Sequence, residues 1–318
     1  MQRKNAFPHA LLLRGRAGIG KHDFAIELSR ALLCSQPTHA QANTLAACGA
    51  CPSCLWFNES AHPDFRLISP ENDEENEDAP KKKTTKKSQI SVVQIRQLID
   101  YLSLSSHQVQ AKRIILISPA ESLNLASANA LLKMLEEPPA NTLFLLVSSQ
   151  PQRLLPTIMS RCQALEMPIP SKKEAIQWLN AQGVQQAEAA LDYAGGAPLL
   201  AVQATSTANE GLIKQLTLGA KLDPFSAAPL FLSLGMERAL ETLQKWVFDL
   251  LNYKLSAQFH YHVQHTNALQ ALCKSVNLSL LLRFQQTLID AKKTANHPLS
   301  NEMQLENMLL QYTRMFRN

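Results

Sequence analysis

Three groups of residues in this 318-residue chain have the types and spacing to do chemistry. The first is Gly15-Arg16-Ala17-Gly18-Ile19-Gly20-Lys21-His22, which reads G-x-x-x-x-G-K with histidine in the next place. Gly15, Gly18 and Gly20 let backbone N–H groups converge on a phosphate at the positive end of a helix, and Lys21 can add a point charge. The position after the lysine normally carries a serine or threonine hydroxyl that ligates magnesium. The imidazole of His22 is a poor ligand for so hard an ion. A hydrolysing phosphate-loop enzyme also needs a carboxylate at the end of a neighbouring strand. Here Ile114-Ile115-Leu116-Ile117 runs into Ser118-Pro119, and no acid follows until Glu121. The motif therefore predicts a nucleotide-binding fold that has lost hydrolysis. Its residues leave open whether a nucleotide is still held.

The second group is Cys34 followed by Cys48-x-x-Cys51-x-x-Cys54. Four thiolates at such spacing suit a closed tetrahedral site for zinc, which has no redox chemistry and would be structural here. Clustered cysteines in a reducing compartment favour a metal over disulfides. Free thiols are the bland alternative, and His39 or His62 in place of Cys34 is a lesser variant. Cys162 and Cys273 lie far off in sequence and read as packed small residues. The third group is Ser160-Arg161-Cys162, which carries little information by itself.

The elements that would position these groups follow from apolar periodicity. Residues 10–14, 64–68, 113–117 and 143–147 read as buried parallel strands. Helical spacing follows the phosphate loop through Phe24, Leu28, Ala31 and Leu32, and recurs through Val93, Leu98 and Leu102. A further helix stops at Glu136-Glu137-Pro138-Pro139. This alternation predicts an α/β layer with a parallel sheet. Residues 71–89 interrupt it with a run of acids and then a run of lysines, the pattern of a solvated, disordered insertion. Beyond Pro168-Ile169-Pro170 strand signals fade. A short segment to about Thr217 contains the breaker Ala194-Gly195-Gly196-Ala197-Pro198. After it come long helices through Leu240, Leu243, Val247 and Leu250, and through Leu305, Met308, Leu309, Tyr312 and Phe316.

Composition sets outer bounds. Hydrophobic residues make up 46% and charged residues 18%, enough to build well-buried cores in two or three domains. A net charge of +5 is too modest to argue for nucleic-acid binding. No apolar run is long enough to span a bilayer and the N-terminus has no signal-peptide core, so a cytoplasmic protein without membrane contact is expected.

A long ordered stretch also resembles a known family. Ala128-Asn129-Ala130-Leu131-Leu132-Lys133-Met134-Leu135-Glu136-Glu137-Pro138-Pro139, then Phe144-Leu145-Leu146-Val147, then Leu154-Leu155-Pro156-Thr157-Ile158-Met159-Ser160-Arg161-Cys162 is similar to the bacterial clamp-loader family. The resemblance covers residues 8–168 closely and the remainder loosely. It implies an α/β P-loop (AAA+) domain over 1–168 with a parallel sheet, a zinc-binding insertion (34–54) and the charged insertion (71–89). A small helical lid domain (169–217) and an all-α C-terminal collar domain (218–318) would follow. The resemblance implies that Arg161 is an arginine finger acting in trans on ATP bound by a neighbouring subunit. It places a sensor position at Ser148 or Ser149, and the sensor arginine of ATP-binding members is replaced by Ala197-Pro198-Leu199. It also implies the zinc ligand set Cys34, Cys48, Cys51 and Cys54.

Within that family the profile is that of a subunit keeping the cysteines and the finger without the acids. The gamma and tau motor subunits keep an intact loop, and the delta subunit lacks both cysteines and S-R-C. The implied partners are therefore gamma/tau and delta, with the sliding clamp and primer–template DNA reached through the complex. Intrinsic ATPase activity is not expected. DNA-directed DNA polymerase activity, a nucleotidyltransferase function, would belong to the holoenzyme. Two other functions compete: a diverged active ATPase of the motor type, and a zinc-bearing DNA-binding protein that uses the lysine run directly.

Overall fold

A computed structural model of the chain describes residues 8–39, 45–70, 89–103, 112–204, 208–294 and 301–316. The chain divides into two compact units, Met1–Ile169 and Pro170–Asn318. Nearly all of the predicted charged insertion, residues 71–88, lies outside the described residues.

The first unit runs β1 (Ala10–Arg14), α1 (Lys21–Leu33), β2 (Thr38–His39), β3 (Leu45–Ala46), α2 (Pro52–Asn58), β4 (Phe65–Ile68), α3 (Val92–Ser103), β5 (Arg113–Ile117), α4 (Leu125–Glu136), β6 (Thr142–Ser148), α5 (Pro156–Met159) and β7 (Gln163–Glu166). Five strands form one sheet in the order β4-β5-β6-β1-β7, and every pairing in it is parallel. The central strands are continuous apolar runs because both faces of the sheet are covered. Alternate residues point to opposite sides. Leu12, Ile115, Ile117, Phe144 and Leu146 join one core, while Leu13, Ile114, Leu116, Leu145 and Val147 join the other. Register sets Arg14 beside Ser148, so the C-terminal ends of β1 and β6 are neighbours. In open parallel sheets this is the edge at which ligand-binding loops gather.

Two local expectations are corrected, and one strand went unpredicted. Of the expected α1 face, Phe24 is 42% exposed, whereas Ala31 is buried and Leu28 and Leu32 pack against the core; Ala25 and Ser29 complete the inward positions. Small side chains there let the helix lie close on the sheet. Val93 is exposed, and α3 packs through Ile95, Leu98 and Leu102. The fifth strand, β7, gives no apolar signal because all four of its residues are exposed. It is a sheet-edge strand held by its pairing to β1.

The second unit is helical: α6 (Lys172–Ala181), α7 (Ala187–Tyr193), α8 (Pro198–Ala204), α9 (Ala208–Thr217), α10 (Pro224–Leu232), α11 (Met236–Ser256), α12 (Thr266–Ser275), α13 (Leu278–Thr294) and α14 (Asn301–Arg314). Ser171 and Glu174 form a capping box that starts α6. Gly195 and Gly196 take φ of 63° and 84°, a conformation that ends α7 and is costly for other residues. Among the described residues the unit holds two apolar cores. Ala175, Leu179, Ala187, Leu191 and Ala201 make the smaller. The larger contains Leu243, Trp246, Leu305 and Tyr312 together with Leu212, Ile213 and Leu216 of α9. Tyr312 is wholly buried, yet its hydroxyl is satisfied: it accepts from Trp246 Nε1 at 2.9 Å and donates to the Leu216 carbonyl at 2.6 Å. Among the described residues, no helix is long and apolar enough to cross a membrane.

Candidate functional site

The phosphate loop joins β1 to α1. Gly15 is required by close approach: a Cβ there would lie 2.8 Å from the Met167 carbonyl oxygen. Gly20 is required by conformation, since it caps α1 at φ 89°. Lys21 is the first residue of α1 and is 4% exposed. Its ammonium donates to the Gly15 and Arg16 carbonyls and, at 3.0 Å, to Ser149 Oγ. An ammonium has three donors, and each finds an acceptor within the protein. Burial draws the Lys21 pKa below the usual lysine range, while the Glu121 carboxylate acts in the opposite sense.

Glu121 is the residue that sequence reasoning undervalued. It lies beyond the strand end, where no metal-binding carboxylate belongs, yet the turn after β5 brings it back. Glu121 Oε1 accepts the backbone N–H of Ser149 at 3.0 Å. Its other oxygen is buried without a hydrogen-bond partner among the described residues. The only signal in the sequence is an acid shortly after an apolar strand. Of the two sensor candidates, Ser149 faces the loop, whereas Ser148 Oγ accepts from the Gln150 N–H at 3.2 Å. His22 does not point to a free metal position either: its Nδ1 lies 2.9 Å from Ser118 Oγ. Two hydrogen-bonded sets, Lys21–Ser149–Glu121 and His22–Ser118, thus lie at the ends of β1, β5 and β6.

The cysteine cluster sits at the far end of α1. Ser53 Oγ donates to the Leu33 carbonyl at 2.6 Å and ties α2 to the end of α1. Cys34, Cys48, Cys51 and Cys54 bring their sulphurs within 4.8 Å of one another. The Cys34 and Cys51 sulphurs are 3.8 Å apart. A tetrahedral zinc with Zn–S near 2.3 Å sets its sulphurs about 3.8 Å apart, so the donor set fits that ion. Backbone N–H groups already point at the sulphurs: Cys48 N reaches Cys34 Sγ at 3.3 Å, and Cys51 N reaches Cys48 Sγ at 3.4 Å. Such donors stabilise thiolates. The Cys51 thiol is drawn down to about 6, the Cys54 backbone being the largest cause. Cys54 is pushed up to about 12 by burial. The His62 variant is disfavoured, because its Nε2 lies 2.9 Å from Ser53 Oγ and its Nδ1 accepts the Asp64 N–H at 3.0 Å. The His39 side chain lies outside the described residues.

Arg161 follows α5, and a third of its side chain, 34%, is exposed. Nη2 pairs with Glu136 Oε1 at 2.5 Å, and Nη1 donates to the Thr157 carbonyl at 3.0 Å. Its neighbour Cys162 packs into the core, and burial pushes that thiol up to about 11.

Comparison with known proteins identifies the family. Residues 1–171 match the family model described as DNA polymerase III, delta subunit, and residues 207–314 match its C-terminal counterpart. A DNA polymerase III subunit delta' from Pseudomonas aeruginosa is 33% identical, over 78% of this chain and 73% of the relative. The chain belongs to the DNA polymerase III delta' family. The delta' subunit of Haemophilus influenzae is 30% identical over 80% of this chain and 74% of its own. That of Yersinia pestis is 35% identical over 76% and 68%. The phosphate loop, the four cysteines and Arg161 all lie within the first matched segment of this delta' family member.

Proposed function

We propose that the chain is a non-hydrolysing clamp-loader subunit of the DNA polymerase III holoenzyme, at work in the cytoplasm during loading of the sliding clamp in DNA replication. Its partners would be the gamma/tau and delta subunits. The clamp and primer–template DNA would be reached through the assembled complex. Arg161 would act in trans as an arginine finger on ATP held by a neighbour. When water attacks the γ-phosphorus there, the bond to the β,γ-bridging oxygen breaks and ADP departs with the electron pair. A planar guanidinium stabilises the negative charge that spreads over those oxygens.

The observation that carries the reading is the state of the phosphate loop. Lys21 spends its donors on Gly15, Arg16 and Ser149, and His22 and Ser118 engage each other in place of a magnesium-binding hydroxyl and carboxylate. Against that inactive loop, Arg161 keeps a charged, partly exposed side chain at the end of α5. The cysteine cluster would hold a structural zinc that ties α2 to the end of α1. The second unit would comprise a lid and a collar. Because Leu212, Ile213 and Leu216 pack with the later helices, we assign α9 to the collar and draw the boundary between α8 and α9. An expected boundary at 217 splits that core.

The test is a loader reconstituted with Arg161→Ala. DNA-stimulated ATP hydrolysis should fall by roughly a thousandfold at the site the finger serves, while assembly survives. Unchanged hydrolysis removes the finger. Steady ATP turnover by the purified chain alone would overturn the non-hydrolysing assignment.

A further inference from the structure

We propose that Glu136 is the positioning residue for Arg161, fixing the guanidinium in the orientation it presents to a neighbouring subunit. This rests on the reading of Arg161 as a finger and adds a residue to it.

An arginine on a surface loop has a long, freely rotating stem, and a group that must meet a developing charge works only when held in place beforehand. Here two acceptors outside its own loop hold it, with the adjacent Ser160 Oγ a longer third at 3.4 Å from Nη1. Glu136 Oε1 takes Nη2 and the Thr157 carbonyl takes Nη1. The acceptors come from different elements, so together they set the plane of the guanidinium. Both anchors are stiff. Glu136 ends α4, whose Leu131, Met134 and Leu135 are buried, and Pro138-Pro139 follow after the capping Glu137. Thr157 lies in α5 beside Ile158, which is 0% exposed.

The location of Glu136 adds a second argument. The C-terminal end of a helix is its negative pole, where a carboxylate is disfavoured and a cation is favoured. A glutamate in the last position of α4 works against its own helix, and the Arg161 guanidinium offsets that repulsion. The carboxylate is thus better explained by its arginine than by the helix that carries it.

The full loader would be reconstituted with the parent chain, Glu136→Ala, Glu136→Gln, Arg161→Ala and the Glu136→Ala/Arg161→Ala double variant, and DNA-stimulated hydrolysis followed across ATP concentrations. We expect Glu136→Ala to lower kcat about fivefold with KM for ATP unchanged, the scale of a partly exposed ion pair. Glu136→Gln keeps an acceptor and should lose less. Glu136→Ala should add nothing in the Arg161→Ala background. A parental or raised kcat in Glu136→Ala, with Arg161→Ala impaired, overturns the proposal and leaves the finger standing. An undiminished loss in the Arg161→Ala background overturns it too, because Glu136 would then act elsewhere. Failure of both Glu136 variants to assemble assigns the residue a purely structural role and also overturns it. An Arg161→Ala loader that works normally removes the finger first.

Discussion

The phosphate loop and the cysteine cluster occupy opposite ends of α1, and they treat their polar groups in opposite ways. At the loop, the lysine is satisfied from within: the Lys21 donors have protein acceptors and Glu121 supplies a negative charge nearby, although one Glu121 oxygen is buried without a hydrogen-bond partner among the described residues. At the cluster, four sulphurs converge with N–H donors directed at them. Thiolates so close repel unless a cation stands between them. The difference teaches where an external partner is needed. A site whose charges are already paired has little left to offer a ligand, and a site that gathers like charges requires one.

Metal removal should have the largest effect. Structural zinc sites of four thiolates contribute apparent free energies of about 10 kcal/mol or more, so a strong chelator or Cys54→Ser should unfold the module around α2. Metal analysis of the purified chain should find zinc, and thiol titration should show these cysteines protected until chelator is added. Four freely reactive thiols would break the comparison on that side.

Asp249 provides a second, internally satisfied charge, in α11. Its buried carboxylate accepts backbone N–H groups of His260, Tyr261 and His262 and the His262 ring at 2.9 Å, closing the turn after the helix. Asp249→Ala would leave those donors unpaired and should cost ~3 kcal/mol, read from denaturant unfolding. Burial alone would raise the Asp249 pKa, but the His262 ring and the His260 N–H bring it below the usual carboxylate range. A depressed folded value stabilises above the unfolded pKa, near about 4, and the contribution is lost as pH falls through the folded value. Asp249→Asn should therefore flatten the acid limb of the stability profile.

The smallest expected effect is at the loop. Millimolar ATP with magnesium should stabilise the isolated chain by less than about 1 kcal/mol, because ligand stabilisation grows only with saturation of a competent site. A clear rise in melting temperature that vanishes in Lys21→Ala would show that the loop opens its own network to a nucleotide.

Much of the first unit was legible from residue order. The apolar runs at β1, β5 and β6 announce buried parallel strands, and G-x-x-x-x-G-K marks the turn that follows the first. The edge strand β7 was not legible, since an edge strand needs no apolar pattern when its pairing supplies the stabilisation. Phe24 and Val93 misled because helical spacing identifies a face without saying how closely the helix packs; small Ala25, Ser29 and Ala31 take that face in α1. In the site, cysteine spacing foretold a cluster that the fold assembles. Neither Glu121 against Ser149 nor Glu136 against Arg161 could be read from spacing, because each pair is joined only through the sheet and its helices.

The linear order of residues determined which groups are present: a phosphate loop stripped of its magnesium ligands, four cysteines, and an arginine in Ser160-Arg161-Cys162. That much follows because backbone geometry over a few residues is set by local chemistry. Only the tertiary structure decided what those groups face. Lys21 turns to carbonyls and Ser149, and Arg161 to Glu136, since pairing between side chains distant in sequence depends on strand order and on the depth at which each helix packs.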